Sequence, residues 1–164
     1  MRVLISFVGN ICTGKTTVSK MIADYFTCNC YSIDEYRIKY SAFDKIFEAV
    51  AWDKMTDSIK NENIAVVESS GLSINIRHIY RLFDKVIVIK LFSPETIILK
   101  RIEERKLNGY VSVPFCYDSQ YETKEMKVRK IEKLVSKLKF DFCINTDINS
   151  INDVFIFLKN NIQL

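Results

Sequence analysis

The segment from Arg2 to Thr17 constrains this chain more than any other. An unbroken apolar run, RVLISFV over Arg2–Val8, leads directly into GNICTGKTT over Gly9–Thr17. A run of this kind reads as a strand buried on both faces. Gly9–Thr16 then match the spacing G-x-x-x-x-G-K-[ST], and Lys15–Phe26 place Val18, Met21, Ile22 and Tyr25 on one helical face. Strand, glycine-bearing loop and helix in that order form a phosphate cradle: the glycines let successive N–H groups turn inward, and the helix N-terminus adds its positive end. The chain has only four glycines in 164 residues, and two fall in this motif. The candidate nucleotide-binding residues are therefore Gly9, Asn10, Ile11, Cys12, Thr13, Gly14, Lys15, Thr16 and Thr17. Lys15 is expected to reach the β- and γ-phosphates of ATP and Thr16 to ligate Mg2+. Cys12 stands where a helix N-terminus can acidify a thiol, or is simply an inert loop residue.

Beyond the loop, short β-like runs alternate with helical patterns. Strands are expected at Asn29–Ile33, Ile64–Glu68, Lys85–Leu91 and Phe142–Thr146, with helical patterns over 35–61, 75–82, 94–107, 123–138 and 151–160. Ser93 is expected to cap the helix that Pro94 opens. Strands apolar on both faces and separated by helices imply an α/β fold: a doubly wound, five-stranded parallel sheet with helices on both faces. Residues 1–164 read as a single domain.

Charge is unevenly spread. The formal net charge is +4, but residues 100–140 hold eleven Lys or Arg against six Asp or Glu. That segment is either a site for an anionic ligand or a solvated helix face. Five cysteines at irregular spacing and a single histidine, His78, give no disulfide framework and no zinc site. No apolar stretch reaches the ~20 residues of a membrane span, and Met1–Val8 lack the h-region of a signal peptide. A cytoplasmic protein with free thiols is expected, without membrane contact.

The phosphate-loop residues Gly9–Thr17 and their setting resemble the small P-loop kinases, a group that includes adenylate, shikimate and gluconate kinases, zeta toxins and the kinase domain of polynucleotide kinases. The resemblance implies a P-loop NTPase fold with a lid, at about 105–122, and transfer of the γ-phosphoryl group of ATP with Mg2+. Asp34-Glu35-Tyr36-Arg37 follows the second strand, and a D-x-x-R pair marks the acceptor site in several of these families, most closely the polynucleotide 5′-hydroxyl and zeta-toxin-like kinases. The acceptor region is expected at about 34–62, with Asp34 as general base and Arg37, one turn on, as a clamp on the acceptor. A helix N-cap and a solvated arginine are the plainer reading of the same pair. Glu68 ends the third strand at the edge where ligands of open α/β sheets gather, and the resemblance implies a place beside Mg2+. Ser69, Ser70 and Gly71 either line the acceptor cleft or form a turn. The Asp-Gly-Phe-Pro-Arg stretch expected of adenylate kinases is absent, ESSGLS standing in its place.

Arg101 and Arg105 lie four apart and share a helical face toward the lid, where arginines can neutralise the transferring phosphoryl group. Tyr110, Phe115, Tyr117 and Tyr121 fall in the lid and either pack it down or stack on a nucleic-acid base. The segment Phe142–Thr146 precedes a loop that frames adenine in the related kinases. His78 reads as structural, Arg77 as a contact to an acceptor phosphate, and Trp52 with Phe43 and Phe47 as core. Together these residues imply a kinase acting on a hydroxyl of a nucleoside, a nucleotide or a nucleic-acid end. Two alternatives stay open: a nucleoside monophosphate kinase, with Arg37 and Arg77 on the acceptor phosphate, and a nucleotide-dependent switch or binding module. The Asn-Lys-x-Asp signature of guanine recognition is absent.

Overall fold

The computed structural model describes residues 1–42, 44–109 and 122–164, with the side chains at 45 and 46 left out. Along the chain run β1 (Val3–Gly9), α1 (Lys15–Tyr25), β2 (Asn29–Ser32), α2 (Ile33–Lys39), α3 (Lys45–Ile59), β3 (Ile64–Glu68), α4 (Ile74–Tyr80), β4 (Lys85–Phe92), α5 (Glu95–Leu107), α6 (Lys124–Val135), β5 (Phe142–Asn145) and α7 (Ile151–Asn161). The five described strands form one sheet in the order β2-β3-β1-β4-β5, and every pairing is parallel. The expected α/β architecture is therefore the one observed. The aromatic residues Phe43, Tyr110, Phe115, Tyr117 and Tyr121, and most of the expected lid, lie outside the described residues.

Side-chain alternation along each strand feeds two cores. Val3, Ile5 and Phe7 of β1, with Val66 and Ile89, pack beneath α1 and α7 through Val18, Ile22, Val154 and Leu158. Leu4, Ala65 and Val67 face the other way, onto Ile33, Trp52, Met55, Ile59, Ile76 and Ile79 of the α2–α4 layer. Each large side chain so buried contributes roughly 1.5–3 kcal/mol relative to exposure. Ser6 shares the second face, and its hydroxyl is satisfied by Tyr80 Oη at 2.8 Å.

At the amino-terminal edge of the sheet, Arg2 donates to the carbonyls of Glu62 (2.9 Å), Leu82 (2.6 Å) and Lys60 (2.6 Å), and stacks on the Phe83 ring. On β4, Lys90 is buried and paired with Glu132 of α6 at 2.7 Å. Trp52 is core, as expected, but Phe47 is exposed. The Ser93 cap is not made: α5 begins after Pro94, and the Ser93 hydroxyl lies at 2.8 Å from Thr146 Oγ1. The cysteines Cys12, Cys28, Cys30 and Cys143 are free thiols, and burial pushes Cys28 up to about 11. No described helix is long and apolar enough to cross a membrane.

Gly9 sets the exit from β1. Its φ is +144°, and a Cβ there would stand 2.2 Å from the Leu91 carbonyl oxygen of the neighbouring strand. Gly109 also has a positive φ, +76°, but open space around it. Gly9→Ala is therefore expected to lose more than ~3 kcal/mol, because strand backbone must move, and Gly109→Ala about 1 kcal/mol from backbone strain alone. Urea denaturation of the two variants tests this, and equal losses would contradict the steric account.

Candidate active site

The parallel sheet sends the ends of β1, β2 and β3 to one edge, so the loop after β1, the start of α2 and Glu68 converge there. The phosphate loop is shaped by its backbone: Cys12 has φ +55° and Gly14, the residue before α1, φ +84°. The Asn10 carbonyl accepts from Lys15 Nζ at 2.5 Å and from Thr13 Oγ1 at 2.9 Å, while Asn10 Nδ2 donates to the Val128 carbonyl of α6 at 2.8 Å. Lys15 is thus folded over its own loop. Burial lowers its pKa, opposed by the charges of Glu68 and Asp34, so both carboxylates lie within electrostatic reach of the ammonium. Cys12 is not acidified; burial raises its pKa, and the nearby Arg105, Lys15 and Arg101 only partly offset this.

Thr16 Oγ1 donates to Glu68 Oε2 at 3.0 Å. A hydroxyl and a carboxylate side by side at the foot of a phosphate loop are hard oxygen donors of the kind Mg2+ takes alongside substrate phosphates and water. These residues fit the ion. Beyond Glu68, the Ser69 and Ser70 hydroxyls accept from the backbone N–H groups of Gly71 (3.0 Å) and Leu72 (3.4 Å), and Ser73 caps α4. The segment is built as a turn.

Asp34 lies in the first turn of α2, and the residue before the helix is Ser32, so Asp34 is not its N-cap. Its side chain is half exposed and accepts from Arg37 Nη1 at 2.7 Å. Arg37 differs from the expected clamp. Its Nε and Nη2 donate to the two oxygens of Glu48 at 2.8 and 2.6 Å, and its side chain is 4% exposed. Burial works against its charge, but Glu48 and Asp34 more than compensate and raise its pKa. Glu48 in turn accepts from Trp52 Nε1 at 2.8 Å. Sequence reasoning missed Glu48, although it lies on the apolar stripe of α3 with Ala51, Trp52, Met55 and Ile59.

The two arginines of α5 separate. Arg101 donates to the Cys12 carbonyl (3.2 Å), Ser93 Oγ (2.9 Å) and the Thr146 carbonyl (2.7 Å), tying the phosphate loop to the ends of β4 and β5. Arg105 is exposed, and its charge acts on both Cys12 and Lys15. In the basic segment, Lys124 pairs with Glu103, Arg129 with Glu95 and Lys130 with Glu122. Arg77 and His78 are exposed on α4.

No family model and no curated protein sequence matches the chain. Solved structures do, over nearly its whole length. A shikimate kinase from Acinetobacter baumannii in complex with shikimate superposes with a TM-score of 0.67 at 18% identity, covering 99% of this chain and 97% of that one. A gluconokinase from Sinorhizobium meliloti gives 0.65 at 11% identity, over 95% and 90% of the two chains. An APS kinase from Mycobacterium tuberculosis, in complex with AMPPNP and APS, gives 0.62 at 13% identity, over 97% and 96%. Sheet order and phosphate loop define a P-loop nucleotide-binding fold. Within that class, the full-length superpositions place this chain on the fold of the small P-loop kinases.

Glu68→Gln is expected to weaken Mg2+-ATP binding about 10- to 100-fold while leaving metal-free ATP binding little changed. Calorimetric titration with and without Mg2+ checks this; an equal loss in both would remove Glu68 from the metal site.

Proposed function

We propose that this chain is an ATP- and Mg2+-dependent kinase that transfers the γ-phosphoryl group to a hydroxyl of a small molecule. One observation carries the reading: two carboxylates reach the charge of Lys15 but are partnered differently, Glu68 by the Thr16 hydroxyl and Asp34 by Arg37. Glu68 and Thr16 would hold Mg2+, which when bound would neutralise charge that builds on the phosphates. Asp34, half exposed and outside that pair, is left to act on the acceptor.

In the proposed step Asp34 takes the proton of the acceptor hydroxyl, whose oxygen attacks the γ-phosphorus as the bond to the β–γ bridging oxygen breaks and ADP leaves. Lys15 leaves the Asn10 carbonyl for the phosphate oxygens. Arg105 supplies positive charge from the lid side, and Arg101 acts through the loop it anchors. Residues 107–123 contain no Lys or Arg, so cationic help on that side comes from α5 or α6. The named neighbours, a shikimate kinase, a gluconokinase and an APS kinase, support a small acceptor over a nucleic-acid end. The glutamate pairing of Lys124, Arg129 and Lys130 agrees with that choice.

Labelled-phosphate transfer from ATP to a panel of nucleosides, nucleoside monophosphates, polyols and sugar acids tests the reading. Asp34→Asn is expected to lower transfer by about 10²- to 10⁴-fold with AMPPNP binding retained. Acceptor-independent ATP hydrolysis, with no labelled product anywhere, would instead point to a nucleotide-dependent switch.

The two arginines are expected to separate kinetically. Arg105→Met should lower kcat by about 10²-fold with little change in ATP affinity, whereas Arg101→Met should weaken ATP binding and lower the melting temperature. A reversed pattern would exchange their roles.

A further inference from the structure

The acceptor side of the site holds a cation that is already spent. Arg37 is the basic residue nearest Asp34 in sequence on α2, yet its guanidinium is sealed against both oxygens of Glu48 and one oxygen of Asp34. Both members of the Arg37–Glu48 pair are almost wholly buried, at 4% and 6% side-chain exposure. Glu48 is itself fixed by the Trp52 indole and by its place on the core face of α3. An acceptor carboxylate or phosphate could reach Arg37 only by displacing a buried carboxylate that already makes the same bidentate contact.

Arg37 apart, the groups beside Asp34 on α2 are themselves acidic or uncharged. The charges of Asp34 and Glu68 both act on Lys15, and Glu35, next to Asp34, pairs with Lys20 at 3.3 Å. The turn Ser69–Ser73 carries no charged side chain, and the cation that follows it, Arg77, is exposed on α4. Like charges brought together disfavour an acceptor more than a missing contact does.

Given the kinase reading above, we infer that the acceptor is an alcohol with no anionic group beside its reacting hydroxyl, and that Glu48 sets this selectivity by keeping Arg37 neutralised. Glu48 touches neither the acceptor nor the nucleotide in this scheme. It is a positioning residue, acting through Arg37 on the charge that an acceptor meets.

The test uses acceptor pairs alike except for charge: glucitol and gluconate, methyl shikimate and shikimate, thymidine and thymidine 3′-monophosphate. For the wild-type protein, kcat/KM is expected to favour the uncharged member of any pair that reacts by about tenfold or more. Glu48→Gln keeps the shape and removes the charge. It is expected to move that ratio toward the anionic member by about tenfold, through a fall in KM for that member alone. A merely structural role for Glu48 would lower both members alike, and that result would overturn its part in selectivity.

A wild-type preference for the anionic member overturns the inference while leaving kinase activity intact, and loss of that preference in Arg77→Met would name the residue responsible. If Glu48→Gln does not fold, the wild-type ratio still decides. Absence of transfer to every acceptor, with AMPPNP still bound, overturns the kinase reading and the inference with it.

Discussion

The structure depends on β1 being paired on both sides by parallel strands. Val3–Phe7 run beside Ile64–Glu68, and Val3–Gly9 beside Lys85–Leu91. Parallel neighbours require crossover connections, which here carry helices on both faces, and they bring all carboxyl ends to one edge. The strand that bears the phosphate loop is therefore the best buried, and the loop leaves it at Gly9, where the Leu91 carbonyl admits no side chain. Strand direction brings Thr16, Glu68 and Asp34 to the same edge, where Thr16 and Glu68 are joined by a hydrogen bond.

Around that frame, charge is distributed by burial. Burial lowers the pKa of Lys15, and the charges of Glu68 and Asp34 only partly offset this. Arg37 remains charged because Glu48 goes into the core with it. Lone burial of either partner would be strongly unfavourable, so the two residues stand or fall together. The pair links α2 to α3, and through Arg37 Nη1 it fixes the carboxylate of Asp34 at the open edge. The position of the Asp34 carboxylate is thus tied, through Arg37 and Glu48, to the buried Trp52.

Much of this was legible in the sequence, for local reasons. The loop, its strand and its helix are contiguous, and an apolar run followed by G-x-x-x-x-G-K-T has few other solutions. The strand and helix types elsewhere followed from period alone. That Asp34 and Arg37 share one helical turn was legible from their spacing, but their ion pair was not, since Arg37 was expected to hold the acceptor or to lie in solvent. Glu48 was not found because its partner lies on a different helix, and an acidic residue near a helix start reads as exposed. Its position three before Ala51, four before Trp52 and seven before Met55 was the available signal, since that is the spacing of a buried stripe. Ser93 looked like a cap because a hydroxyl before Pro-Glu often is one; here Thr146 and Arg101, brought close by the sheet, compete for it. Spacing alone also could not separate Arg101 from Arg105, since they share a face and only the partners supplied by β5 distinguish them.

The sheet order has a consequence for how the chain assembles. The first strand lies at the centre, and its partners are contributed by residues 64–68 and 85–91, while Arg2 closes on carbonyls near residues 60 and 82. Until residues 64–68 and 85–91 have both come to it, β1 lacks a partner on at least one side. Long sequence separation between partners slows folding and prolongs the exposure of sticky edges. The strand that carries the phosphate loop is thus completed only by partners distant from it in sequence.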